Sequence, residues 1–100
     1  MGYAMLREPR TISPGEKSII TLDIEDNSKP IKDIEVKFET DRKEAGKFEP
    51  EKIKTDVNGS AKVTFISNSK LRKDLDVIVC ASWKLNDQEN SCKMLIEIRK

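Results

Sequence analysis

From Ser18 to Glu25 the chain alternates, with Ile20, Leu22 and Ile24 on one side and Thr21, Asp23 and Glu25 on the other. Ile34–Glu39 repeats the pattern, setting Ile34, Val36 and Phe38 against Glu35, Lys37 and Glu39. A period of two with charge on the second face predicts half-buried antiparallel strands and leaves no helical reading. Ser60–Ser67 alternates in the same way through Ala61, Val63 and Phe65. Ser91–Arg99 sets Met94, Ile96 and Ile98 against Lys93, Glu97 and Arg99, with Leu95 breaking the polar side. In Leu75–Ser82 the run Val77-Ile78-Val79 is apolar on both faces, as a central strand requires. Tyr3–Leu6 and Thr11–Ser13 supply a short first strand, which Pro9 confines to an edge.

Polar clusters separate these runs: Pro14-Gly15, Asp26–Pro30, Gly46, Ser67–Ser69 and Asn86-Asp87, with a loop expected over Trp83–Asn90. About seven short strands at this spacing predict an all-β fold, an immunoglobulin-like β-sandwich of two antiparallel sheets. An orthogonal barrel of similar size is the alternative. The sandwich core is expected at Ile20, Leu22, Ile24, Val36, Phe38, Val63, Phe65, Val77, Val79 and Ile96. The 100 residues are read as a single domain, 1–100, with residues 1–10 as a linker or vector-derived segment.

Composition narrows the function classes. Lys and Arg total 19 against 18 Asp and Glu, a net charge of +1 that gives no field to steer nucleic acid. Aromatic residues make up 5%, too few for base-stacking platforms. No stretch approaches the roughly 20 apolar residues of a membrane span, so no direct membrane insertion is expected. Met1–Arg10 lacks the apolar run of a signal peptide, so the chain is read either as intracellular or as a domain of a longer exported chain. Histidine is absent, which removes the commonest general base and zinc ligand.

Two stretches carry a resemblance. Ile20–Phe38, ITLDIEDNSKPIKDIEVKF, is similar to a strand, acidic turn with proline, and strand of the bacterial immunoglobulin-like domain of group 1, the repeat of invasin- and intimin-type adhesins. Thr55–Ser67, TDVNGSAKVTFIS, resembles that family's Thr-Asp-x-x-Gly-x-Ala followed by an alternating strand, carried here by Thr55, Asp56, Asn58, Gly59 and Ala61. Val77–Ser82, VIVCAS, matches a late strand more weakly. The chain departs from the family in its abundance of Lys and Glu and in lacking the glycine of the Asp26–Pro30 turn. The resemblance implies a non-enzymatic sandwich used in tandem as a spacer or adhesion domain on a cell surface.

The candidate chemistry is sparse. Without histidine a nucleophilic Ser or Thr would need a Lys base, and no motif places such a pair. Glu49 and Glu51 flank a proline turn with nothing to desolvate them. Asp23, Glu25, Asp26 and Asp33 cluster near one turn and Asp56 and Asn58 near another, but they lack the spacing of a calcium loop and lysines interleave them, so no metal or cofactor is expected. Cys80 and Cys92 permit one disulfide. An exported family favours the bridge, but strand parity opposes it: Cys80 points outward if Val77 and Val79 point inward, while Cys92 points inward with Met94 and Ile96. The choice between a bridge and two free thiols stays open. Trp83 is expected to cover an end of the core.

Asn58-Gly59-Ser60 is also an N-glycosylation sequon, relevant only if the chain meets a glycosylation machinery. As a turn, a three-residue loop Val57–Gly59 would pair Ala61 with Thr55 and Val63 with Ile53, keeping the core apolar and requiring a positive φ at Gly59. Expected partners are neighbouring domains of the same chain and a protein or glycan on another cell. The expected location is the cell surface, with an intracellular interaction domain or an accessory β-domain of an enzyme as the alternative.

Overall fold

A computed structural model describes residues 1–100. It contains ten strands: β1 (Gly2–Glu8), β2 (Thr11–Ile12), β3 (Lys17–Asp26), β4 (Lys29–Pro30), β5 (Glu35–Thr40), β6 (Gly46–Glu49), β7 (Lys52–Lys54), β8 (Ser60–Ser67), β9 (Leu75–Leu85) and β10 (Gln88–Ile98), with one 3-10 turn at Lys43–Ala45. One sheet has the order β1-β3-β8-β6, with β4 extending the β8 side of β3; the other has the order β2-β10-β9-β5-β7. All pairings are antiparallel except β2 with β10. The two inward faces meet in a core of 17 buried residues, which includes all ten expected from alternation. The result is the all-β immunoglobulin-like sandwich that the pattern predicts.

Two edge strands change sheets. The chain leaves β1 in the first sheet, turns at Pro9 and enters β2 in the second; it leaves β6 in the first sheet, turns at Pro50 and enters β7 in the second. Proline has no N–H to give a ladder, so the ladders stop there. Counting each broken pair as one strand gives seven, plus the two-residue β4.

Residues 1–10 are therefore not a linker: β1 pairs with β3 along its whole length, from Gly2 opposite Glu25 to Glu8 opposite Ile19. Arg7 lies on the inward parity, opposite Ile20, and its Nε is buried without a partner. An inward-facing charge on an edge strand discourages pairing with another sheet edge.

The expected loop over Trp83–Asn90 is instead a hairpin. β9 and β10 run together to Leu85 and Gln88, and only Asn86 and Asp87 turn, with φ of 52° and 63°. Asn27 and Ser28 between β3 and β4 adopt the same pair of angles, 52° and 63°. Both are left-handed two-residue turns, whose twist matches that of the strands they join. Asn27 tolerates that conformation and Ser28 adopts it beside it, so the Asp26–Pro30 turn forms without a glycine.

The molecule measures 44 × 21 × 18 Å. Gly2 lies beside Glu25 and the β3–β4 turn at one end, while Ile98 pairs with Leu75 at the other. The two termini therefore leave from opposite ends of the long axis. No helix of the protein is long and apolar enough to cross a membrane.

Candidate functional site

The stretch Thr55–Ala61 joins β7 in one sheet to β8 in the other. The local turn has the form expected from its glycine. Gly59 N–H donates to Asp56 O at 2.9 Å, Asp56 N–H donates to Ser60 O at 2.9 Å, and Gly59 has φ +74°. Asp56 Oδ1 accepts N–H bonds from Asn58 at 2.9 Å and Ser60 at 3.0 Å. The expected register beyond the turn is not formed. Ile53 pairs with Val36 and Val63 with Ile20, so the arms of the turn lie in different sheets. Ile53 reaches an apolar partner on β5, a long-range choice that the local pattern does not encode.

Four of the five family-motif positions, Thr55, Asp56, Gly59 and Ala61, have structural tasks. Thr55 is 2% exposed; its hydroxyl donates to Ile31 O at 2.7 Å and accepts the Ile34 N–H at 3.0 Å. Its backbone donates to Ile34 O and accepts from Asp33 N–H, both at 2.9 Å. Thr55 thus clamps the segment that carries the chain from β4 to β5. Gly59 O accepts the Ile24 N–H at 2.8 Å, and Ala61 is fully buried opposite Leu22. Asn58 is exposed at the turn, while the hydroxyl of Ser60 is engaged by Asp23.

The other two buried polar side chains act similarly. Ser18 donates to Pro9 O at 2.7 Å, at the β1–β2 switch, and Ser67 reaches Ser13 O and Glu16 O at 2.9 and 3.0 Å, where the chain passes from β2 to β3. Every buried hydroxyl sits where the chain crosses between sheets. Replacing Thr55 by Val keeps the shape but leaves the Ile31 carbonyl and the Ile34 N–H, in part-buried bonds, without that partner. The expected loss is about 2 kcal/mol or more by denaturant unfolding, with Thr55→Ser nearer wild type. Equal losses for the two variants would assign the effect to packing.

The cysteines occupy opposite faces. Cys92 stands opposite Ala81 on the core side and Cys80 opposite Lys93 on the outer side, in a ladder with no bulge from Leu75 to Leu85. Both thiols are free, and that of Cys92 lies 3.8 Å from the Met5 sulfur across the sandwich. The bridge that the sequence leaves open is not formed. Burial, and secondarily the neighbouring Cys80, pushes the Cys92 thiol from 9.0 up to about 11. Its folded pKa lies above its unfolded one, so its contribution to stability is full below pH 9.0 and is lost as pH rises through about 11. Unfolded without reductant, the protein should take up an alkyl group on each cysteine; a mass showing none would restore the bridge.

Trp83 lies on β9 and is 4% exposed, with the Tyr3 ring edge-on at 5.3 Å, so it covers the core end as expected. Its Nε1 is buried without a partner. The acidic residues do not converge: no group of three or more Asp, Glu or Cys side chains is placed to hold a cation. Glu49 is exposed and pairs with Lys47 at 3.5 Å. The surface grooves run over charged side chains; one beside Phe38 and Phe48 is bordered by Lys37, Glu39, Lys43, Lys47 and Glu51.

Two sheets of this order, with edge strands exchanged at both sides, define an immunoglobulin-like sandwich of the kind found in intimin. The D0-D1 domains of intimin superpose with a TM-score of 0.78 at 24% identity, over 97% of this chain and 47% of that one. The D00-D0 domains give 0.72 at 16% identity, over 93% and 45%. SSP-19, an MSP-domain-like protein of Caenorhabditis elegans, gives 0.60 at 16% identity over 90% and 92%. The likenesses fix the fold, and the chain spans about half of the intimin fragments it matches. No protein-family model matches the chain. No curated protein matches it either.

Proposed function

We propose that this chain is a non-catalytic structural module of a cell-surface protein, a spacer or adhesion domain joined to neighbouring domains. The observation that carries the reading is the exit of the two termini from opposite ends of a 44 Å sandwich, so that successive domains extend one another. The intimin likeness supports it, and so do the structural tasks of Thr55, Asp56, Gly59 and Ala61. Any adhesive contact would use end loops or a sheet edge, against a protein or glycan on another cell. One of the similar intimin fragments is itself in complex with the intimin-binding domain of its translocated receptor.

An antibody raised against the chain should stain intact, unpermeabilised cells of the source. Staining only after permeabilisation would sink the surface assignment. It would favour an intracellular interaction domain.

A further inference from the structure

The near-neutral net charge of +1 hides a separation along the rod. At the end where the C-terminus leaves, the carboxylates are already held within the protein. Asp76 receives Arg99 at 2.8 Å, Glu97 receives Arg99 and Arg10 each at 3.6 Å, and Asp74 and Asp41 accept the backbone N–H groups of Lys100 and Ile78, each at 2.9 Å. Lys43, Lys70, Arg72 and Lys73 stand exposed at the same end and make no ion pair. Their charge is left facing outward.

The other end has the reverse balance. Glu25, Asp33, Glu35, Asp56, Asp87 and Glu89 are exposed around the two hairpin tips and the Thr55–Ala61 turn, against Lys29, Lys32, Lys54 and Lys84. None of these six carboxylates is in an ion pair, and of them Asp56 accepts backbone N–H groups, from Asn58 and Ser60. Val57, 72% exposed, projects from the same end.

We infer that the basic end is a docking surface for the acidic end of a second copy of this chain, so that domains meet head to tail. The inference rests on the spacer reading for its biological setting. Its physics is separate: opposite charges at opposite ends favour end-to-end contact and penalise like ends meeting. Between free chains such contact is weak. Joined in series, two domains face each other at an effective concentration on the order of millimolar, and the same contact then sets their angle.

The test uses the single chain in sedimentation velocity. At about 10 mM salt, where the Debye length is about 30 Å, the average mass should rise with concentration; at about 1 M salt it should remain that of a monomer. The triple variant Lys70→Glu, Arg72→Glu, Lys73→Glu carries acid at both ends, and the double variant Glu25→Lys, Glu89→Lys loses the acidic end. Each alone should associate at least tenfold more weakly than wild type, and an equimolar mixture should recover association, because the intact end of each meets the intact end of the other. Thermal melts of both variants establish that they fold.

A wild type that stays monomeric at low salt, association indifferent to salt, or a mixture that does not recover would each overturn the interface. So would binding of the wild type, but not the triple variant, to anionic lipid vesicles without self-association, which would reassign the basic end to an anionic surface. These outcomes leave the surface assignment to the antibody experiment.

Discussion

Phe65→Ala should cost about 3–5 kcal/mol, a large share of the 5–15 kcal/mol that holds a typical domain folded. Phe65 is fully buried on β8, paired with Ser18 and Phe48 on either side. Its ring lies 5.2 Å from that of Phe48, which in turn lies 5.8 Å from Phe38 on the facing sheet. These aromatic rings join the two layers, so removing one opens a void that flanking strands fixed by their ladders cannot close. Gly46 adds to this constraint: a Cβ there would stand 2.8 Å from Phe65 Cζ, so that strand is already against the ring. Denaturant unfolding followed by the fluorescence of Trp83, the sole tryptophan, should show a lower midpoint with an unchanged slope. A loss below about 1 kcal/mol would show that the ring is not an essential part of the core.

Gly59→Ala should cost about 2–5 kcal/mol. A residue with a side chain at φ +74° costs roughly 1–2 kcal/mol, and overpacking adds typically about 1–3 kcal/mol. The second contribution arises because a Cβ at Gly59 would meet Ile24 O at 2.5 Å and Pro30 Cβ at 3.0 Å. Gly15 separates the two effects. It has φ +89°, but the nearest atom to its Cβ would be the Ser69 Cβ at 3.2 Å, a milder approach than the 2.5 Å to Ile24 O at Gly59. Gly15→Ala should therefore lose chiefly the conformational share, and the difference between the two melts measures the close approach at Gly59. If the two variants melt together, the approach of Ile24 and Pro30 is not a constraint.

What the sequence reveals depends on how each residue's environment is built. Ile20, Leu22 and Ile24 alternate against polar neighbours because β3 lies between β1 and β8 with one face on the core, and such strands are legible from period alone. β1 is legible only in part: Tyr3–Leu6 reads as a short edge strand and forms one, but its full length does not show. As an edge strand it buries little, leaving Tyr3 and Leu6 51% and 61% exposed, and its inward parity includes Arg7. The glycine of the Thr55–Ala61 turn is local chemistry and can be read; the partner of Ile53 is a contact with β5 and cannot. The apolar run Val77–Val79 conceals which face Cys80 takes, and only the pairing with Lys93 resolves it. The signature that marks the fold in sequence turns out to hold a crossing between sheets, so it identifies the module without locating a binding surface.

The parallel pairing of β2 with β10 bears on how the domain would carry load. Tension in a chain of such domains would pull the start of β1 away from one end and the end of β10 away from the other. The strands run in the same direction, so the bonds from Glu97 N–H to Arg10 O and from Arg99 N–H to Ile12 O lie across the pull and would be loaded together. The rungs between β1 and β3 would be loaded in the same sense. The first and last strands would have to slide past their neighbours to separate, where a hairpin pulled from its open end would unzip one rung at a time. The sheet switch at Pro9 divides this resistance between both sheets, so neither layer would bear the tension alone.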